Sequence, residues 1–423
     1  VETKKFKVVS LGCRTNQYES QAYTDQLLAL GMQQASDDET AEICVVNTCT
    51  VTESADSSSR HQIRLLAKQN PGAKILVTGC LAERDPSSLQ QIEGVLHVVS
   101  NTKKESLLST IFPQEDLPEF SIKNFDAHTR AFVKVQDGCN SFCTYCIIPY
   151  VRGRSRSRRL DDITKEIETL VSNGFKEVVL TGINIGDFDG APAQGETPVR
   201  LAELVRRVDQ IEGIERIRIS SIDPDEIDDE LIDAVVQGKH TCHSLHIVLQ
   251  SGSNVVLKRM NRKYTKEIFL STIERLRKVS PDFTFTTDII VGFPGESQED
   301  FQDTIDLMKH TRFAKVHMFP YSERKRTRAA LFSGKVPHQV MQERKREVLT
   351  LAEHVSYKLR EDYIGRKMTV LLESEEKDQP GFFSSHTANF LPVIVEGSDL
   401  SANQLIEVEL IANTEKGLIG RRI

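Results

Sequence analysis

Three times near its N-terminus the chain runs through a short apolar, β-branched segment into a turn that ends on cysteine. FKVVSLGC reaches Cys13, AEICVVNTC reaches Cys49 and AKILVTGC reaches Cys80. Helical stretches lie between them, ESQAYTDQLLALG after the first and SADSSSRHQIRLLAKQNPG after the second, where Pro71 and Gly72 stop the helix. Strands separated by helical crossovers predict a parallel sheet, with Cys13, Cys49 and Cys80 together at its carboxyl edge, the usual edge for a ligand. One cysteine at a strand end is ordinary packing. Three at equivalent ends favour one metal site, with a redox-active pair and a spare thiol as the alternative. Cys44 and Cys242 fall outside the pattern and read as buried thiols.

A second series begins at AFVKVQDGC. Candidate strands follow at KEVVLTG, ERIRISS, HSLHIVLQ, FTFTTDIIVG and AKVHMFP, separated by helical stretches such as DITKEIETLVSN, PVRLAELVRRVDQ and TKEIFLSTIERLRK. Six such strands predict a partial (β/α)6 barrel rather than a complete eight-unit one. PQEDLPEFSIKNFDAHT, before the series, reads as a polar connector. After it comes a helix, then GRKMTVLLE, FLPVIVEG and LIEVELIAN, strands of a small β-barrel. The expected class is α/β: a parallel-sheet domain over 1–111, a linker over 112–127, the partial barrel over 128–336, a connecting helix over 337–362 and the β-barrel over 363–423. A chain of 423 residues exceeds what one core usually serves.

No apolar run reaches membrane-spanning length and no signal-peptide pattern opens the chain, so a cytoplasmic protein without a membrane partner is expected. The formal charge of -7 argues against indiscriminate coating of nucleic acid. Two basic runs stand out on this acidic background, RGRSRSRR from Arg152 to Arg159 and ERKRTR from Glu323 to Arg328. Concentrated positive charge of this kind suits an RNA backbone. Eight cysteines in so long a chain are too few for a disulfide scaffold.

DGCNSFCTYCIIPYVRG packs Cys139, Cys143 and Cys146 into one turn. Three thiolates can hold three irons of a four-iron cube and leave the fourth open to a chelating ligand; zinc with a distant fourth ligand is the competitor. With the strand series around it, the triplet resembles that of radical S-adenosylmethionine enzymes. The resemblance implies that the open iron binds S-adenosylmethionine and that its reductive cleavage yields a 5'-deoxyadenosyl radical. Tyr145, between the last two cysteines, is then expected near adenine. LTGINIGDF offers Thr181, Gly182 and Asn184, with Gly186, toward the methionyl amino group; LQSGSNVVLKRMNRKYT offers Gln250, Ser251 and Ser253 to ribose or carboxylate; TDIIVGFPGE places Ile290 and Gly292 near adenine. Asp288, His246 and His317 lie near strand ends but are read as structural.

Both cysteine sets in this order are similar to the methylthiotransferase family, over nearly the whole chain. The resemblance implies a second four-iron cluster on Cys13, Cys49 and Cys80, with Asn16, Asn47 and Thr48 shaping that site. It also implies an electron donor such as flavodoxin or ferredoxin, and a sulfur donor. The segment from Tyr363 to Ile423 resembles the family's TRAM domain, whose binding surface would include Lys367, Phe382, Phe383, His386 and Asn389. HTRAFVKVQDGCNSFCTYCIIPYVRGRSRSR, from His128 to Arg158, resembles the branch that methylthiolates C2 of N6-threonylcarbamoyladenosine at position 37 of tRNA. Arg152, Arg154, Arg156, Arg158 and Arg159 would then receive tRNA phosphates or the threonyl carboxylate. Sister branches act on isopentenyladenosine in tRNA or on a ribosomal-protein aspartate; a noncatalytic RNA-binding or iron-sulfur assembly factor is the reading from another class. A basic substrate pocket favours the threonylcarbamoyl substrate and an apolar one the isopentenyl substrate.

Overall fold

The computed structural model describes residues 4–125 and 129–423; the expected boundary at His128 lies outside the described residues. In the N-terminal part, β1 (Lys5–Ser10), β2 (Gln33–Gln34), β3 (Ile43–Thr48), β4 (Lys74–Gly79) and β5 (Val95–Val98) form a parallel sheet in the order β2-β1-β3-β4-β5. The three cysteine-ended strands are its centre. Central β3 is buried along its whole length, as a strand covered by helices on both faces must be. The helix after β1 spans Arg14–Ala29 and begins earlier than its apolar pattern suggests, with Cys13 as its N-cap residue. Asn16 draws that start inward, donating to the carbonyls of Leu11 at 2.6 Å and Thr48 at 3.1 Å.

The central part opens on β6 (Arg130–Lys134), which leads into β7 (Gln136–Asp137). An antiparallel pairing of β7 with β8 (Arg156–Ser157) clasps the base of the loop that carries the tight cysteine triplet. Strands β9 (Glu177–Thr181), β10 (Arg216–Ile222), β11 (Thr241–Ile247), β12 (Thr284–Val291) and β13 (Lys315–Pro320) complete a parallel six-stranded sheet, ordered β13-β12-β11-β10-β9-β6. This is the six-strand partial barrel expected from the sequence. Its strands alternate: Val178, Leu180, Ile217, Leu245, Ile247 and Phe285 enter the core under the helices. Arg216, Arg218, His246, Thr286 and Asp288 occupy the opposite, lumen-facing positions. Tyr18 and Ala22 of the first helix share the barrel core, as do Ile122 and Phe125 of the connecting stretch.

Helix His338–Glu361 leads to β14 (Lys367–Glu375), β15 (Phe382–Thr387), β16 (Pro392–Glu396), β17 (Leu405–Asn413) and β18 (Leu418–Arg422), a closed barrel in the order β14-β15-β16-β18-β17. Val370, Leu372, Val393, Val395, Val408 and Leu410 fill it. The corner after β15 docks at the amino-terminal end of the six-stranded sheet. Arg216 donates to the His386 carbonyl at 2.9 Å, and Arg218 to those of Thr387 and Ala388 at 2.9 Å each. Among the described residues no helix is long and apolar enough to cross a membrane.

Candidate active site between two cysteine sets

Cys139, Cys143 and Cys146 lie on the loop between β7 and β8, and its backbone is tied on both sides. Gly138 holds a φ of +74°, and a Cβ there would stand 2.0 Å from the Arg154 carbonyl, so only glycine admits the chain crossing. Cys139 N–H donates to the Gly153 carbonyl at 3.2 Å, Thr144 N–H to that of Met260 at 2.9 Å, and Cys146 N–H to that of Cys143 at 3.0 Å. The Ser141 N–H points at the Cys139 sulfur at 3.4 Å and Arg262 Nη1 at the Cys143 sulfur at 2.9 Å; Arg262 also pairs with Asp223. An amide aimed at one sulfur and a guanidinium aimed at another are placed to support thiolate ligands.

The other set comes together at the carboxyl edge of the N-terminal sheet, as its strand pattern predicts. Gly12, at φ +96°, presses so closely on the next strand end that a Cβ would meet the Cys49 sulfur at 2.7 Å. Burial raises Cys49, and pushes Cys80 up to about 12, with the neighbouring cysteines adding to both. On the loop, burial likewise raises Cys139 and takes Cys146 to about 12. All eight cysteines are free thiols. Free thiols on converging turns fit an iron-sulfur group, whose irons would take them as thiolates. Among the described residues no three His, Cys, Asp or Glu side chains stand close enough to share one ion. The fit therefore rests on the convergence of the turns, and not on a preformed single-ion shell.

Arg152 sits between the two sets. It is 1% exposed, hydrogen-bonds Cys80 and pairs with Asp137 at 2.8 Å, Glu19 at 3.2 Å and the Asn16 amide oxygen. Lys104 joins at 2.6 Å from Glu19 and 2.5 Å from Asp137. Burial alone would raise both acids, but Lys104 and Arg152 outweigh it, holding Glu19 at about 2 and Asp137 well below the carboxylate range.

A cavity of about 190 Å³ lies where the parts meet, lined by Val51 and Thr52 just past Cys49, by Tyr145 and Cys146 of the loop, and by Gln250, Asp288, Ile290 and Phe319 of the barrel. Of the residues expected around the cofactor, Tyr145, Gln250 and Ile290 are on this wall. Thr181 Oγ1 and Gln250 Oε1 are buried without a partner among the described residues, as groups that await a ligand are. Asn184 donates to Glu226 at 2.9 Å, and Gly182 lies against Gln136. Ser251, Ser253 and Gly292 have internal duties: Ser251 meets Thr304 at 3.5 Å, Ser253 caps helix Asn254–Arg259, and Gly292 N–H donates to Glu296 at 2.7 Å. Sequence reasoning missed Val51, Thr52 and Phe319, and it set Asp288 aside. Only their position, two or three residues past a cysteine turn or in the carboxyl half of a barrel strand, could have signalled them.

The expected substrate residues divide in the same way. Arg152 is sealed inside, a correction to its reading as a phosphate contact, because the acids around it need its charge. Arg158 is half-buried on Glu166 at 2.6 Å, and Arg156 is tied to Asp137 at 2.9 Å. Arg154, over the Phe142 ring, and Arg159 are exposed. On the C-terminal barrel Lys367 is exposed and Phe382 half-buried. Phe383 belongs to the barrel core, His386 bonds Glu373 at 2.8 Å, and buried Asn389 donates to the Asp282 carbonyl and Tyr363 hydroxyl at 3.1 Å each. Those last three hold the barrel together or to its neighbour.

The Radical SAM superfamily model matches residues 133–308, and that of uncharacterized protein family UPF0004 matches residues 5–100. The chain is 48% identical to the threonylcarbamoyladenosine tRNA methylthiotransferase MtaB of Chlamydia pneumoniae, over 98% of this chain and 97% of that one. It is 36% identical to the protein of the same name from Bacillus subtilis, over 95% and 92%. Identity to the tRNA-2-methylthio-N(6)-dimethylallyladenosine synthase of Finegoldia magna is 32%, over 99% and 94%. Among solved structures, the radical S-adenosylmethionine methyltransferase TsrM of Kitasatospora setae shares the fold, with a TM-score of 0.55 at 14% identity over 75% and 73% of the two chains. With a three-cysteine loop, a second cysteine set across one cavity and matches that run through all three parts, the chain belongs to the radical S-adenosylmethionine methylthiotransferase family.

Proposed function

We propose that this chain is the tRNA methylthiotransferase that adds a methylthio group to C2 of N6-threonylcarbamoyladenosine at position 37. The observation that carries this reading is the likeness to two threonylcarbamoyladenosine enzymes over nearly the whole chain; in the barrel lumen Arg130 lies on β6 and Arg14 enters from the N-terminal part, while Arg216 and Arg218 hold the C-terminal barrel. A dimethylallyl or isopentenyl group is a hydrocarbon and calls for an apolar wall, whereas a threonyl carboxylate calls for cations. The names of the Chlamydia pneumoniae and Bacillus subtilis relatives agree with the second.

Cys139, Cys143 and Cys146 would hold one four-iron cluster, and Cys13, Cys49 and Cys80 another. When bound, the first supplies a 5'-deoxyadenosyl radical from S-adenosylmethionine and the second the site where sulfur is methylated. The protein's own part is placement. Tyr145 and Ile290 would flank the adenine, and Gln250 and Thr181 would offer it the polar atoms that lack partners. Arg262 steadies the Cys143 sulfur. Exposed Arg154 and Arg159 meet the tRNA backbone, and the third part extends that surface through Lys367 and Phe382. The reaction also consumes electrons and sulfur, from a donor such as flavodoxin or ferredoxin and from a separate sulfur donor. A tRNA partner makes the cytoplasm the place of action.

The test is nucleoside mass spectrometry after anaerobic incubation of the iron- and sulfide-reconstituted protein with S-adenosylmethionine, reductant and tRNA bearing threonylcarbamoyladenosine. Its methylthio derivative should appear with the native chain and be absent with Cys143→Ala. No product, with both clusters present and S-adenosylmethionine being cleaved, would sink the substrate assignment.

A further inference from the structure

The lumen's charges do not balance. Glu177 stands 2.7 Å from Arg218 and 3.8 Å from both Arg216 and Arg130. Glu373 lies 3.2 Å from Arg130, and Asp288 lies 3.4 Å from His246. Every guanidinium named here has a carboxylate partner except Arg14, which among the described residues has no hydrogen bond or ion pair. Arg14 is the residue after Cys13 and the first of helix Arg14–Ala29, yet its head reaches the opposite part of the molecule. It lies over the Phe132 ring at 5.5 Å and within electrostatic range of Arg130, Arg218, Glu177 and Asp288, from four different barrel strands.

Two further features describe the position. Arg14 is exposed by surface area, yet its guanidinium stands over the Phe132 ring on β6, inside the ring of barrel strands. That combination belongs to a side chain projecting into an open cleft rather than onto a convex surface. A cation held near other cations without its own anion is costly, and an incoming anion relieves the cost. The ring of Phe132 beneath the guanidinium restrains its plane, leaving the donor edge free for a bidentate partner.

Resting on the substrate reading above, we propose that Arg14 binds the threonyl carboxylate and so selects the carboxylate-bearing adenine. The connection to the reaction is positional. The adenine C2 must come between the two cysteine sets, and Arg14 is bonded in sequence to one of them. In adenine, C2 and the carbon bearing N6 flank the same ring nitrogen, so a base that offers C2 there carries its N6 substituent alongside, toward the lumen. Arg14 is a specificity residue and takes no part in the radical step.

The test uses the cluster-loaded full chain under anaerobic conditions and measures binding of three tRNA anticodon stem-loops by fluorescence anisotropy. One carries threonylcarbamoyladenosine, one its methyl ester and one unmodified adenosine. The native protein should bind the free acid at least about tenfold more tightly than the other two, the order expected of a charge-assisted pair. Arg14→Gln should bind all three alike, at the native affinity for unmodified adenosine, and Arg14→Lys should keep part of the preference. Iron content should stay native in both variants. An Arg14→Gln protein that keeps the full preference overturns the assignment of Arg14 alone. A native protein that binds ester and acid equally overturns it whether or not the variant folds. Absence of both preference and methylthio product in the native protein overturns the substrate reading with it.

Discussion

The two cysteine sets are built in opposite ways. Cys139, Cys143 and Cys146 belong to one loop, stapled by main-chain bonds to Gly153 and Met260 and clasped by a two-residue ladder. Cys13, Cys49 and Cys80 come from three strand ends that the sheet brings side by side. The ionic groups behind the two sets differ as well. Behind the strand-end set, Lys104 and Arg152 hold Glu19 and Asp137 ionised. Behind the loop, burial raises Asp223, and burial with Asp223 raises Glu226 to about 7. A local site can tolerate acids that resist ionisation, because its geometry is covalently short-range. A site assembled from distant segments depends on a buried charge network to keep them in register.

The largest effect separates the two sets by chemistry. Cys143→Ala should reduce 5'-deoxyadenosine formation from S-adenosylmethionine to background and with it all methylthio product. Cys49→Ala should leave that cleavage in place while abolishing the methylthio nucleoside. Both readouts come from one chromatogram. If Cys49→Ala also lost cleavage, the strand-end set would not be a separate centre, and the division of labour would fail.

Stability is the next distinction. Arg152 to methionine removes a cation that Glu19, Asp137 and Cys80 share in a sealed interior. The two carboxylates then keep Lys104, with Lys134 3.6 Å from Glu19 and Arg156 2.9 Å from Asp137 at the edge of the network. Breaking a buried pair in this way costs about 3–5 kcal/mol. Arg154→Ala, two residues on and exposed, should cost within about 0.5 kcal/mol. Chemical denaturation of the two variants side by side checks this, and equal midpoints would mean that the buried network does not hold the sheet edge to the loop.

This same pair shows how far the sequence could be read. RGRSRSRR looks uniform as text, yet its first arginine is a core residue and its second is exposed. Nothing in composition distinguishes them, because burial here depends on Glu19 and Lys104, more than forty residues away in sequence. Both cysteine sets were legible, one from spacing and the other from repeated strand-to-turn patterns. The six barrel strands were legible too, since their β-branched runs end on clear turns. Strands β15 and β18 escaped, the first carrying two serines and a histidine, the second short and ending in two arginines. Ser251 and Ser253 lay in the expected segment, but cap and tether bonds claim their hydroxyls. Arg14 was passed over because a charged residue beside a cysteine carries no local signal; its meaning comes from the strands opposite.

The smallest effect tests the electrostatic half of the comparison. Glu226 has its folded pKa raised to about 7 from an ordinary 4.5, chiefly by burial and next by Asp223. A carboxyl whose folded pKa lies above its unfolded one binds more protons in the folded state across that interval, so stability falls as pH rises from about 4.5 to about 7 and levels off beyond. Glutamine cannot ionise but can still accept the Asn184 amide, which lies 2.9 Å from Glu226 Oε1. Glu226→Gln should therefore gain about 2 kcal/mol over the native chain at pH 8 and little at pH 5, after discounting for partial exposure. Glu19→Gln should do the reverse. Its folded pKa of about 2 lies below 4.5, so the native charge contributes stability at neutral pH that is lost only on acidification. Urea midpoints of both variants against pH check the signs together. Parallel curves would show that the acids behind the two cysteine sets are governed alike, leaving the loop and the sheet edge to differ in connectivity alone.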